Sequence, residues 1–140
     1  MSRDHTERNK QTVRRFYAEL DRHRFDVIDE LVAEDFVDHA APPGHPPGRA
    51  GVRAFYQRLY AAFPDLETLV LDLIAEGDKV VLRKTANGTH RGTAFFGLPA
   101  LGRRLELEII NVFRVDEQGR LNAHWHAFDT AAVARQLGRQ

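Results

Sequence analysis

The segment LNAHWHAFDT holds two histidines two residues apart, His124 and His126, with Asp129 three residues further on. These are the groups in the chain best suited to moving protons. An imidazole has an unperturbed pKa of about 6.5, so near neutral pH it can take a proton from an activated carbon and return one to an alkoxide. On an extended segment Asn122, His124, His126 and Phe128 share one face, and Leu121, Ala123, Trp125 and Ala127 share the other. The run before it, RRLELEIINVFRV, carries Leu105, Leu107, Ile109, Asn111, Phe113 and Val115 on one face, an apolar stripe broken once by an amide. Asn111 is then either a core amide satisfied by a neighbour or a group facing a ligand, where it could donate to an oxygen that gains charge. His39, His124 and His126 with Asp38 allow a different chemistry, because imidazoles at i and i+2 of a strand share a face and suit a divalent metal.

Other polar and aromatic positions carry two readings each. Asp129 before TAAVARQLG suits the N-cap of a helix, and it can also orient His126. His90, in GTHRG, is either structural or in contact with a substrate. Tyr17 and Tyr56 lie on helical faces, where tyrosines serve as core or as ligand groups. His45, between two proline pairs, is expected to be solvent exposed.

These side chains need a scaffold, and the periodicity supplies one. In RNKQTVRRFYAELDRHR the residues Val13, Phe16, Tyr17 and Leu20 recur at helical spacing, and FDVIDELVAED places Val27, Ile28, Leu31 and Val32 on one face. FVDHA follows as a brief extended piece. APPGHPPGRAG, with four prolines and three glycines, must be a surface loop. VRAFYQRLYAAFPD resumes a helix on Val52, Phe55, Tyr56, Leu59 and Phe63, ended by Pro64. From Leu66 the period becomes two: LETLVLDLIAEGDKVVLRKTANGTHRG reads as a hairpin about EGD, RRLELEIINVFRV and RLNAHWHAF as a second about DEQG, and TAAVARQLG as a short closing helix. Helices segregated from antiparallel strands argue an α+β fold in one domain over residues 1–140.

Composition excludes several classes. Twenty basic residues balance twenty acidic ones without a long run of either sign, which leaves no footprint for nucleic acid or an anionic membrane. With no cysteine there is no disulfide, thiolate metal site or cysteine nucleophile, a composition that fits a cytoplasmic protein. The opening MSRDHTERNK is polar and reads as neither a secretory signal nor a membrane span.

Four stretches carry a family resemblance: NKQTVRRFYAELDRHRFDVIDELVAEDFVDHAAPPG, GVRAFYQRLYAAFPDL, EGDKVVLRKTANGTHRGTAFFGLPALGRR and INVFRVDEQGRLNAHWHAFDTAAVARQLG. Together they resemble the SnoaL-like polyketide cyclases of the nuclear-transport-factor-2-like superfamily, from about Asn9 to Gly138, with GTHRG, the GLP and GRR loop and RQLG as markers. The resemblance implies a cone-shaped barrel of curved antiparallel sheet covered by three N-terminal helices, with a short C-terminal helix. It also implies a deep apolar pocket, a homodimer through the outer face of the sheet, and ring closure by intramolecular aldol condensation without metal or organic cofactor.

The family's aspartate acid/base on the last strand falls on His126, and its pocket histidine one strand earlier on Asn111. The base of the related ketosteroid isomerases falls near His39, and their oxyanion-binding tyrosine and acid on Phe16 and Asn111. The last-strand aspartate of the related epoxide hydrolases also falls on His126. The expected pocket is therefore lined by Phe16, His39, Leu107, Asn111 and His126. His126, Asn111 and His39 are the candidate catalytic groups; Phe16, Tyr17, Tyr56, His90, Leu107, Phe113 and His124 are candidate contacts to a small apolar molecule. Asp129 is the candidate orienting group. If His126 points inward, Trp125 points outward and needs cover from a second copy. The alternatives are a ligand-holding protein without catalysis and the metal-dependent enzyme on His39, His124 and His126.

Overall fold

The computed structural model describes residues 2–138. Nine elements follow in order: α1 (Ser2–Asp21), α2 (Asp26–Leu31), β1 (Val32–Asp38), α3 (Gly48–Ala62), β2 (Glu67–Glu76), β3 (Lys79–Thr89), β4 (Arg104–Val115), β5 (Leu121–Phe128) and α4 (Thr130–Leu137). This is the α+β arrangement that the change of period from 3.6 to 2 predicts. α1 buries Val13, Phe16, Tyr17 and Leu20 on one face, and α2 buries Val27, Ile28 and Leu31. α1 starts earlier than the apolar pattern suggests, at Ser2. α3 begins at Gly48, inside the stretch whose glycines and prolines read as loop, and Pro47 stands just before it.

The five strands form one sheet in the order β1-β5-β4-β3-β2. β2 to β5 run as an antiparallel meander. The two-residue turn between β2 and β3 places Gly77 at φ 60°, a conformation that L side chains resist. The second hairpin is held by Asp116, whose Oδ1 accepts from the backbone N–H groups of Gln118 and Arg120 at 3.0 and 2.9 Å.

Two features differ from the sequence reading. Residues 36–38 of FVDHA join residues 32–35, expected as the end of a helix, in a true strand, β1, and it pairs parallel with β5, so the sheet is mixed rather than wholly antiparallel. The cone is also open, with β1 and β2 as its edges. α1 lies against β2 and β3, α3 against β1, and α4 against β4.

The inner face is set by strict alternation in β3 and β4. Val80, Leu82, Lys84 and Ala86 point in from β3, and Leu105, Leu107, Asn111, Phe113 and Val115 from β4. In β5 the alternation slips once. A register shift opposite Arg114 and Val115 sends Leu121 into the core, while Asn122 turns to accept from Arg114 Nε at 2.9 Å. Leu121 and Asn122 therefore exchange the faces that simple alternation gives them.

Candidate active site

Cross-strand pairing brings the polar groups together. On the sheet Asn111 pairs with His126, and Phe113 with His124. Parallel pairing then sets Asp38 beside His124. All five face a cavity of about 410 Å³ under α1 and α3, whose walls include Phe16, Phe36, Phe55, Leu107 and Ile109. That volume suits a small molecule.

Three side chains form a chain of hydrogen bonds. Asn111 Nδ2 donates to His124 Nε2 at 2.8 Å. Because an amide NH₂ can only donate, Nε2 must carry a lone pair, and the ring proton sits on Nδ1. From there it is donated to Asp38 Oδ1 at 3.0 Å. The same oxygen accepts from the Ala40 N–H at 3.0 Å. Burial pushes the Asp38 carboxyl up, but the hydrogen bonds from His124 and from the Ala40 N–H help to outweigh it and hold its pKa below the ordinary value. Asn111 is 3% exposed and its Oδ1 has no partner among the described residues. Turning the amide over would set Oδ1 against His124 Nε2, an arrangement that only the doubly protonated ring satisfies.

Among the described residues His126 has no hydrogen-bond partner, which leaves its ring open to a ligand. Its ring stands 5.2 Å from that of His124 and 5.1 Å from that of Phe128. Burial foremost, and then His124, lowers its pKa; Asp38 opposes this and Lys84 adds to it. The imidazole is thus neutral at pH 7 and able to accept a proton.

Aromatic rings build the opposite wall. Phe16 meets Tyr17, Tyr56 and Phe113 edge-on at centroid distances of 5.2, 5.7 and 6.1 Å. The Tyr56 hydroxyl donates weakly to that of Tyr17 at 3.5 Å. Burial raises both phenols above their ordinary pKa, so neither ionises near neutrality. Beside them Tyr60 donates to Asp21 Oδ1 at 2.6 Å, and Asp21 Oδ2 accepts from the Thr68 N–H at 2.7 Å.

Several expected residues lie elsewhere. His39 follows Asp38, so alternation turns it outward, where its ring stacks on Trp125 at 4.6 Å with 2° between planes. Asp38 holds the inward place that His39 was expected to fill. The triple-histidine metal reading fails on this geometry, since His39 is across the sheet from His124 and His126. Among the described residues no group of three or more metal-ligating side chains converges. His90 is buried under Phe63, ring to ring at 4.9 Å, and its Nε2–H donates to the Thr93 carbonyl at 2.8 Å. It is structural and not on the cavity wall.

Asp129 caps α4 by accepting from the N–H groups of Ala131 and Ala132 at 3.0 and 3.3 Å, and it pairs with Arg135. It does not reach His126; the orienting carboxylate is Asp38, and it acts on His124. His45 is tied down rather than solvated, its Nε2–H donating to the Gly51 carbonyl at 2.8 Å at the cavity rim.

One group on the wall escapes the sequence reading. Lys84 is 6% exposed, with its Nζ 3.7 Å from the centre of the Tyr17 ring. Its signal was legible in KVVLRKTANGT, where Val80, Leu82, Lys84 and Ala86 share the inward row.

The model of the SnoaL-like polyketide cyclases matches residues 11–137. The chain belongs to that family. TsrD from Streptomyces laurentii is 29% identical, with a TM-score of 0.86 over 94% of this chain and 96% of that one. IdmH from Streptomyces antibioticus, a candidate polyketide cyclase, is 33% identical, with a TM-score of 0.78 over 94% and 99%. A candidate polyketide cyclase from Bacillus cereus is 27% identical, with a TM-score of 0.81 over 98% and 85%. No curated protein matches this chain. The open cone of four helices and a mixed sheet is the nuclear-transport-factor-2-like fold of these neighbours. Among the described residues no helix is long and apolar enough to cross a membrane.

Proposed function

We propose that this SnoaL-like protein is a cofactor-independent enzyme that closes a ring in an apolar carbonyl compound by intramolecular aldol addition, with His126 as general acid and base. The observation that carries the reading is a neutral, half-buried imidazole on the wall of an apolar cavity, paired across the strands with a buried amide.

In this reading His126 takes a proton from the carbon between two carbonyls. The enolate carbon adds to a further carbonyl of the same molecule, and the imidazolium returns its proton to the new alkoxide. Electrons are redistributed within one molecule, so no oxidant or reductant is consumed. Asn111 steadies the oxygen that changes charge, through its amide. Asp38 fixes the tautomer of His124 and so the direction of that amide. Phe16, Tyr17, Tyr56, Leu107 and Phe113 exclude water and fold the substrate chain.

The test is a thermal-shift screen of small ketones, esters, epoxides and poly-β-ketones, followed by turnover assays of each compound that binds. A cyclised product formed by the wild type and lost in His126→Ala supports the reading. Binding without turnover favours a ligand-holding protein. Loss of activity to a chelator, restored by added metal, replaces this reading with a metal-dependent one. We further propose a homodimer through the outer sheet face, where Ile74, Val81, Val112 and Trp125 form one cross-strand row and Ile74 is 62% exposed.

A further inference from the structure

Lys84 is the one lysine or arginine among the residues that line the cavity. β3 presents it inward between Leu82 and Ala86, opposite Ile109 of β4. Its Nζ rests on the face of Tyr17, and among the described residues it has no ion pair and no side-chain hydrogen bond. The other two lysines differ: Lys10 pairs with Glu7 and Lys79 with Asp78, both toward solvent. Asp21, the acid whose charge acts on Lys84, spends its oxygens on Tyr60 and Thr68.

A primary ammonium enclosed by apolar groups, with one ring face in place of water or a counter-ion, is poorly solvated. Burial accordingly draws Lys84 down to about 7, against the pull of Asp21. The Tyr17 ring also favours the charged form, by about 1–2 kcal/mol in such settings. The amine and His126 look into one space from different strands. They lie two strands and two residues apart, about 12 Å between backbones at ordinary sheet spacings.

We propose that Lys84 is a nucleophile that condenses with a carbonyl group of the ligand to form an imine inside the cavity. This rests on the reading of the cavity as a site for a carbonyl compound. The Nζ lone pair adds to the carbonyl carbon, and proton transfer from nitrogen to oxygen gives a carbinolamine. Its hydroxyl takes a further proton and leaves as water, and the C=N bond of an iminium forms. His126 then removes the neighbouring carbon's proton to give an enamine, whose carbon attacks a second carbonyl. The imidazolium proton passes to the new alkoxide, and water hydrolyses the iminium to restore the ketone and the amine. The cycle consumes and releases one water and needs no redox partner. An iminium is a stronger electron sink than a ketone, so Lys84 offers activation that Asn111 alone does not supply.

The experiment uses the whole protein and benzoylacetone, an apolar 1,3-diketone that condenses with a free amine to a stable enaminone. The readouts are a near-ultraviolet band, an intact-mass gain equal to the diketone less one water, and peptide mapping over the three lysines. We expect the adduct on Lys84, formed at pH 7.5 at least about tenfold faster than on Lys10 or Lys79, because the cavity holds the diketone against an amine that burial keeps largely neutral at that pH. It should be absent from Lys84→Met and from Lys84→Arg, which keeps the charge but cannot form an imine. Thermal shift is read in parallel. A diketone that raises the melting temperature but leaves Lys84 unmodified overturns the imine and leaves the carbonyl site standing. A diketone that neither binds nor reacts overturns both. Mapping on the wild type decides the site even if a variant does not fold.

Discussion

His124 donates its Nδ1 proton to Asp38 while its Nε2 accepts from Asn111, so the histidine in the middle of the site has no nitrogen left for a ligand. His126, two residues along on the same strand face, keeps both free of hydrogen bonds among the described residues. The two imidazoles of one segment thus have different tasks, one as support and one as reagent, and the following outcomes separate them.

His126→Ala should lower kcat by about a hundredfold or more with the fold intact, the usual weight of positioned proton transfer. His126→Asp, which restores a carboxylate, should keep part of the activity. Steady-state kinetics beside circular dichroism checks both, and a wild-type rate in His126→Ala would place the base elsewhere.

The pH dependence has a defined sign. The folded pKa of His126 lies below 6.5, so activity that needs the neutral ring should rise through a pKa below 6.5 and then level off. Between the two values the unfolded chain binds more protons, so stability falls as pH drops through 6.5 toward the folded value. Asp38, held below 3.8, stabilises the fold above that pH, and its contribution is lost as pH falls through its folded value. In Asp38→Asn the negative charge that raises His126 is gone, so the acid limb of the rate profile should move to lower pH. The same variant should lose about 1–3 kcal/mol in urea denaturation, the cost of a poorly satisfied buried donor.

Lys84→Met should stabilise the protein, by on the order of a few kcal/mol at pH 6. The groups that bear on this amine are Tyr17 and Asp21 from α1 and His126 from β5. The folded pKa is about 7 against 10.5, so the penalty of the buried charge is full below pH 7 and vanishes as pH rises through 10.5. Urea melts of both proteins at pH 6 and pH 9 should show the gap narrowing at the higher pH.

Sedimentation velocity at micromolar concentration should give a dimer for the wild type. Trp125→Glu, placing a charge in the middle of the outer apolar row, should shift it to monomer. A wild type that stays monomeric would leave the indole covered by His39 alone.

The elements were legible because each has its own period, and the inner row of β4 was legible as a stripe with one amide. The site's connectivity was not. His39 and Asp38 are neighbours, and only the register of β1 against β5 decides which of them faces inward. A parallel pairing between distant strands leaves no local signal, unlike a hairpin, whose turn fixes its register. Asp129 is close to His126 in sequence, but α4 claims both of its oxygens, the first-turn N–H groups taking Oδ1 and Arg135 of the last turn taking Oδ2. Lys84 was visible as a cation on an apolar row. It is easily passed over, because a lysine in a strand usually marks the wet face.

The bond between Asp38 and His124 joins residues 86 positions apart, through the pairing of the first strand with the last. Contacts of that separation form late, since the loop they close must be ordered before they repay it. During synthesis, β1 waits with its inner edge bare until nearly the whole chain has left the ribosome, and until then the cavity has no back wall. A chain stalled before β5 therefore holds Lys84 and Asn111 but neither His124 nor His126, and has no closed cavity around them. Activity, once assayed, will report on full-length, fully folded molecules alone.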